Sequence, residues 1–126
     1  MNKKKKVLII DDEPYIRRVI ELKLKNRGYQ VITATNGEEG LHFFKKHKPQ
    51  VVVTDIKMPK MDGRAFCELT NEFKKKRPFL TIIVTCNIAD DGWKWIENMD
   101  ETVFMEKPFS PSKLLECIDQ YFGIQT

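Results

Sequence analysis

The sequence predicts an α/β domain: a doubly wound, five-stranded parallel sheet with five helices shared between its two faces. Three observations carry this. Short apolar runs alternate five times with longer amphipathic stretches. One run, Val51-Val52-Val53-Thr54, is apolar at consecutive positions, as a strand covered on both sides should be. The chain has 126 residues, room for one core and not two, so residues 1–126 are expected to form a single domain.

Strand one is Lys6-Val7-Leu8-Ile9-Ile10. Helix one follows, with Pro14 in its first turn, an apolar stripe of Ile16, Val19, Ile20 and Leu24, and Gly28 at its C-cap. Gln30 to Thr35 is strand two. Asn36-Gly37-Glu38-Glu39 reads as an N-cap with Glu at N3, a capping-box variant. Helix two carries Leu41 and Phe44 and ends near Lys48-Pro49. After strand three and a loop with Pro59, helix three starts at Asp62-Gly63 and carries Phe66, Leu69 and Phe73. Phe79 to Val84 is strand four. Helix four is expected near Ile88 to Asn98, with Ile88, Gly92, Trp95, Ile96 and Met99 at helical spacing, although Gly92 weakens it. Val103 to Met105 is strand five. Ser110-Pro111 is an N-cap with Pro at N1, and helix five carries Leu114, Leu115, Ile118 and Phe122.

Composition excludes several classes. Hydrophobic residues make up 41% and charged residues 32%, which fits neither a disordered chain nor a membrane protein. No apolar run approaches the roughly 20 residues that span a bilayer. Lys3 to Lys6 before Val7 to Ile10 imitates a signal peptide, but the apolar stretch stops at Asp11-Asp12-Glu13, short of the roughly 7–15 residues required. Cys67, Cys86 and Cys117 are odd in number and lack CxxC spacing, so they offer neither a disulfide framework nor a zinc site. A reducing cytoplasm is the expected setting. Basic residues outnumber acidic ones 22 to 18. Lys3 to Lys6, Lys23-Lys25-Arg27, Lys45-Lys46-Lys48 and Lys74 to Arg77 mostly fall at helix C-termini or before strand one, where cations complement the helix dipole. No nucleic-acid binding by this domain is expected from them. His42 and His47 share no common face with another ligand and are expected to be exposed.

The chemistry collects at one rim. In open parallel sheets, ligands bind beyond the carboxyl ends of the strands. Strand one ends in Asp11-Asp12, strand three in Asp55 and strand four in Thr85, and Lys107 follows strand five. A single polar residue after a strand is ordinary loop chemistry; this ordered set is not. Clustered carboxylates raise one another's pKa and call for a cation, either Lys107 or a divalent metal. All-oxygen ligands suit Mg²⁺ over zinc or copper. A hard cation beside a carboxylate, a hydroxyl and an ammonium provides the charge neutralisation and positioning that phosphoryl transfer needs.

With these residues in place, the sequence resembles the receiver domains of two-component response regulators, chemotaxis regulators among them. The resemblance covers essentially the whole chain. It rests on Val7-Leu8-Ile9-Ile10-Asp11-Asp12-Glu13-Pro14, on Thr54-Asp55-Ile56-Lys57-Met58-Pro59-Lys60-Met61-Asp62-Gly63, on Thr85, and on Lys107-Pro108-Phe109. It implies the flavodoxin-like strand order 2-1-3-4-5. It implies that Asp55 is the nucleophile, phosphorylated from a sensor histidine kinase or a phosphotransfer protein. Asp12 and Asp55 would ligate Mg²⁺ with the Lys57 backbone carbonyl, and Asp11 would hold the ion largely through water. Thr85 and Lys107 would bind phosphoryl oxygens, and Lys107-Pro108 would be a cis peptide. Phe104 would be the switch aromatic, turning inward as Thr85 moves. The face of helix four, strand five and helix five would then engage a downstream partner.

Some positions depart from the family pattern. Cys86 stands where a small residue is usual, and it is expected to pack there rather than to act as a redox-sensitive thiol. Lys57 and Asn87 flank the path of the hydrolytic water, and Lys57 is expected to alter phosphoryl lifetime. Asp100-Glu101-Thr102-Val103 replaces the usual run before the switch aromatic, and Phe104 lacks a tyrosine hydroxyl. Trp93 lies off the apolar stripe of helix four and is a candidate partner contact. An aspartate-nucleophile phosphatase would carry a second acid at position 57, where Lys57 stands. A receiver reduced to a binding scaffold would not be expected to keep Asp11, Asp12, Asp55, Thr85 and Lys107 together. The chain stops soon after helix five, so the expectation is either a stand-alone receiver, monomeric or weakly dimeric, or part of a regulator with a separate output domain.

Overall fold

A computed structural model describes residues 5–85, 91–107 and 110–124, the side chains at 91–93 and 98 excepted. The strands are β1 (Lys6–Ile10), β2 (Gln30–Ala34), β3 (Val51–Thr54), β4 (Leu80–Thr85) and β5 (Thr102–Glu106). They form one sheet in the order β2-β1-β3-β4-β5, and every neighbouring pair is parallel. The α-helices are α1 (Pro14–Asn26), α2 (Gly37–His47), α3 (Gly63–Asn71) and α4 (Pro111–Tyr121). Two 3₁₀ segments, Glu72–Lys75 and Asp91–Asn98, complete the described elements.

Strand alternation divides the core in two. Val7, Ile9, Val51, Val53, Ile82 and Val84 face Ile20 and Leu24 of α1 and Leu114 and Ile118 of α4. Leu8, Ile10, Val52 and Ile83 face Phe44 of α2, Phe66 of α3 and Phe79. The central strands β3 and β4 are buried at every position, as their unbroken apolar runs require. Phe44 centres an aromatic cluster, its ring 4.9 Å from Phe79, 5.5 Å from Phe73 and 6.0 Å from Phe66. Each such burial stabilises the fold by roughly 1.5–3 kcal/mol.

The helix ends follow from side-chain chemistry. Asn36 Oδ1 accepts from Glu39 N at 2.9 Å, and Asp62 Oδ1 accepts from Ala65 N at 2.9 Å. The Glu39 carboxylate reaches back one residue further than in a standard capping box, to Thr35 N at 2.8 Å. Gly28 follows the Arg27 cap of α1 with φ +104°.

Three expectations change. The expected fourth helix is a 3₁₀ segment over Asp91–Asn98, so the domain has four α-helices among the described residues. Gly92 and Asn98 are weak helix formers, and what seats the segment is packing of Trp95 and Ile96 on the Phe44 side of the core. Ile88 and the side chain of Trp93 lie outside the described residues. Leu69 is 50% exposed; Thr70 takes the inward position instead and bonds back to Phe66 O at 2.9 Å. His47 is half-buried beside Phe43, while His42 is exposed.

The entry to β5 is held from the end of α3 and the 3₁₀ segment that follows it. Lys74 Nζ donates to Thr102 Oγ1 at 3.1 Å and to the carbonyl of Asp100, and Asn71 Oδ1 accepts from Asp100 N at 3.3 Å. Glu101 turns between them at φ +44°. Among the described residues, no helix is long and apolar enough to cross a membrane.

Candidate functional site

The carboxyl edge of the sheet presents the acids. Asp11 extends β1 by donating its N–H to Ala34 O at 3.1 Å, and Asp55 extends β3 by donating to Ile10 O at 3.1 Å. Lys107 N donates to Thr85 O at 2.8 Å, which carries the β4–β5 ladder to the same rim. Parallel register therefore sets these side chains level, as the strand-end pattern predicts.

Lys107 is the hub. Its Nζ lies 2.9 Å from Asp55 Oδ2, 3.2 Å from Asp11 Oδ2 and 3.5 Å from Glu13 Oε1. The Lys107, Asp11 and Asp55 side chains are only 13%, 5% and 12% exposed. Asp55 Oδ1 accepts from Ile56 N at 2.6 Å, and Asp11 Oδ1 accepts from Glu13 N at 2.9 Å. Arg17 Nη1 donates to Asp11 O at 2.7 Å and braces the turn that carries the acids.

Electrostatics follow from this arrangement. Burial lifts the Asp11 carboxyl above its usual value, while the Glu13 N–H and Lys107 oppose the rise. Burial alone would lower the Lys107 pKa. The hydrogen bond to Asp55 and the charges of Asp11 and Asp55 outweigh it, and the ammonium is held well above its ordinary range.

Asp11, Asp12, Glu13 and Asp55 each place a carboxylate oxygen within a group spanning 4.8 Å. One ammonium cannot neutralise four carboxylates, and an oxygen-only donor set fits a hard divalent cation. This cluster could hold such an ion. Sequence reasoning did not count Glu13 among the metal-binding acids. Its position directly after the acid pair was the available signal.

The remaining expected residues are placed less directly. Thr85 is buried at the end of β4. Phe104 is half-buried and packs with Ile83, its register partner in β4. Because side chains alternate along a strand, Thr85 shares the sheet face of Ile83 and Phe104. Lys57 is exposed on the β3–α3 loop. Cys86, Asn87 and Pro108, and with it the expected cis peptide, lie outside the described residues.

Beneath Asp55 the backbone closes tightly. A Cβ on Gly63 would stand 2.0 Å from Asp55 O, and Gly63 N donates to Ile56 O at 2.8 Å. A Cβ on Gly37 would stand 2.1 Å from Met61 O. The loop from Asp55 to Asp62 is thereby clamped against α2 and α3.

Comparison with known proteins agrees with this geometry. A family model described as the response regulator receiver domain matches residues 7–119. A probable transcriptional regulator, ycf27 of Porphyra purpurea, is 41% identical over 115 residues, covering 90% of this chain and 45% of that protein. The alkaline phosphatase synthesis transcriptional regulatory protein PhoP of Bacillus subtilis is 34% identical over 110 residues, covering 87% of this chain and 45% of that protein. The chain thus spans less than half the length of these relatives. The chemotaxis protein CheY4 of Vibrio cholerae superposes with a TM-score of 0.84 at 27% identity, covering 94% of this chain and 98% of that one. The family match, the strand order and the acidic edge with its lysine agree: this chain belongs to the response regulator receiver domains.

Proposed function

We propose that Asp55 accepts a phosphoryl group from the phosphohistidine of a sensor histidine kinase or phosphotransfer protein. The observation that carries this reading is the Asp55 carboxylate itself. It is recessed at the sheet edge, with one oxygen held by Ile56 N–H and the other by Lys107, beside three further carboxylates. The domain is a phosphoacceptor module rather than a conventional enzyme, and it catalyses its own phosphorylation and dephosphorylation.

A carboxylate oxygen of Asp55 attacks phosphorus in line as the P–N bond breaks, and the imidazole leaves with the bonding electron pair. Lys107 shifts from carboxylate to phosphoryl oxygen, and the Thr85 hydroxyl donates to another. Asp12, Asp55 and the Lys57 carbonyl would hold Mg²⁺, with Asp11 acting largely through water; the ion would supply neutralisation of charge developing on the phosphoryl oxygens. Water later attacks phosphorus and regenerates the Asp55 carboxylate.

Movement of Thr85 toward the phosphoryl group opens space on the sheet face that it shares with Phe104. Phe104 turns inward, and the surface around β5 and α4 changes for a downstream partner. The relatives are named as transcriptional regulators, which supports an output domain that acts on transcription in a longer protein of which this chain would be the receiver.

Incubation with acetyl phosphate and Mg²⁺, followed by intact-mass measurement, tests the reading. One phosphate should appear on Asp55 and none on Asp55→Asn. Labelling of Asp55→Asn at the wild-type rate would overturn it.

A further inference from the structure

Glu13 occupies the N-cap position of α1 in an extended conformation, φ −91° and ψ 114°, yet its side chain makes no capping hydrogen bond. An acid at this position ordinarily accepts from the first-turn N–H groups. Here Oε1 reaches instead across the rim to Lys107 Nζ, 3.5 Å away, while another contact of the same ammonium goes to Asp55. Lys107 Nζ donates hydrogen bonds to Asp55 and Asp11 and holds Glu13 as an ion pair, so three carboxylates stand as acceptors around one ammonium. Two of these acceptors are recessed. The Glu13 side chain is 60% exposed and stands at the mouth.

We infer that Glu13 is a positioning residue that couples cation binding to phosphoryl entry, through its hold on Lys107. The inference rests on reading Asp55 as the phosphoacceptor. Before a cation arrives, Glu13 pairs with Lys107 at the exposed mouth and places a negative charge there that opposes an incoming phosphoryl anion. Its oxygen already lies within the 4.8 Å group formed with Asp11, Asp12 and Asp55. With a divalent cation held there, the Glu13 carboxylate would have a competing partner and would leave Lys107. The exposed side of the ammonium would then be open to a phosphoryl oxygen. Among the acids around Lys107, Glu13 is suited to this exchange. Asp11 and Asp55 are buried and anchored by backbone N–H groups, whereas Glu13 has a longer side chain and open solvent beside it.

The test uses the whole chain and the neutral isostere Glu13→Gln, with Glu13→Asp as a charge-preserving control. Mg²⁺ affinity is read by titration calorimetry without any phosphodonor. Labelling by phosphoramidate is read by intact mass, in Mg²⁺ and in chelator. Glu13→Gln should bind Mg²⁺ about tenfold more weakly, from the loss of one nearby charge. The ratio of labelling in Mg²⁺ to labelling in chelator should fall several-fold in the same variant, because the latch on Lys107 is gone. Glu13→Asp should keep most of the Mg²⁺ affinity. Unchanged affinity and an unchanged labelling ratio in Glu13→Gln overturn the inference. If the wild type itself takes no phosphate on Asp55, the phosphoacceptor reading fails, and the Mg²⁺ titration alone then decides the role of Glu13.

Discussion

The Tyr29 hydroxyl donates a 2.5 Å hydrogen bond to Oδ1 of Asp119, a residue 90 positions further along the chain. Asp119 is completely buried, and its other oxygen lies 3.3 Å from the Arg27 guanidinium without a hydrogen bond. The trio joins the end of α1, the start of β2 and the end of α4. Tyr29→Phe removes the donor and leaves a buried carboxylate oxygen bare. It should cost roughly 1–3 kcal/mol, read as a lower urea midpoint at neutral pH. An unchanged midpoint would show that the bond carries no net stability.

The same pair predicts a pH dependence. Burial first, and then the hydrogen bond and charge of Asp119, raise the Tyr29 pKa above its ordinary 10.0. The folded state therefore keeps this proton where the unfolded chain loses it. Stability from Tyr29 is complete below about pH 10 and declines as pH rises beyond it. Between pH 9 and pH 11 the wild type should lose more stability than Tyr29→Phe does, since the variant lacks this one titration.

Lys107→Ala should expose the repulsion that Lys107 suppresses. Asp11 and Asp55 are nearly buried and would lose their shared cation. In chelator, the variant should be less stable than wild type by about 1–3 kcal/mol. Adding Mg²⁺ should restore much of the deficit, because a ligand bound only by the folded state stabilises it. Paired thermal melts in chelator and Mg²⁺ read both effects; equal melting of the two proteins in chelator would contradict the prediction.

Gly63→Ala should act on Asp55 from below. The added methyl would meet Asp55 O at 2.0 Å and Ile56 Cα at 2.8 Å, both backbone atoms that cannot swing aside. Overpacking of this kind costs about 1–3 kcal/mol. Acetyl-phosphate labelling should slow along with the loss of stability, because the displaced carbonyl belongs to Asp55, the proposed phosphoacceptor.

Lys57 projects from the β3–α3 loop into solvent. On the proposed function, its ammonium would contact phosphoryl oxygens on Asp55 and impede the attacking water. Lys57→Ala should shorten the lifetime of phosphorylated Asp55 several-fold with little change in folding. Equal decay rates for the two proteins would remove Lys57 from the account.

Legibility in the sequence tracked how local each signal was. Parallel strands with consecutive apolar residues announced themselves at Val51 to Thr54, and acids at strand ends announced the rim. Asn36, Asp62 and Ser110 marked helix starts because capping is a contact three residues long. The fourth helix failed because packing of Trp95 and Ile96, rather than propensity, shapes that segment. Leu69 was placed inward by spacing, but α3 turns Thr70 to the core, where its hydroxyl bonds within its own helix. Glu13 stood outside the expected site because its pairing with Lys107 joins residues far apart in the chain. Asp119 gave no warning at all, since nothing near it in the chain speaks of Tyr29.

The close approach of Gly63 to the carbonyl of Asp55 limits where the domain can vary. The floor under Asp55 has no slack, so a substitution at Gly63 is felt first by the fold itself. Variation is left to the open roof, where Glu13 and Lys57 stand exposed and can be exchanged without disturbing that floor.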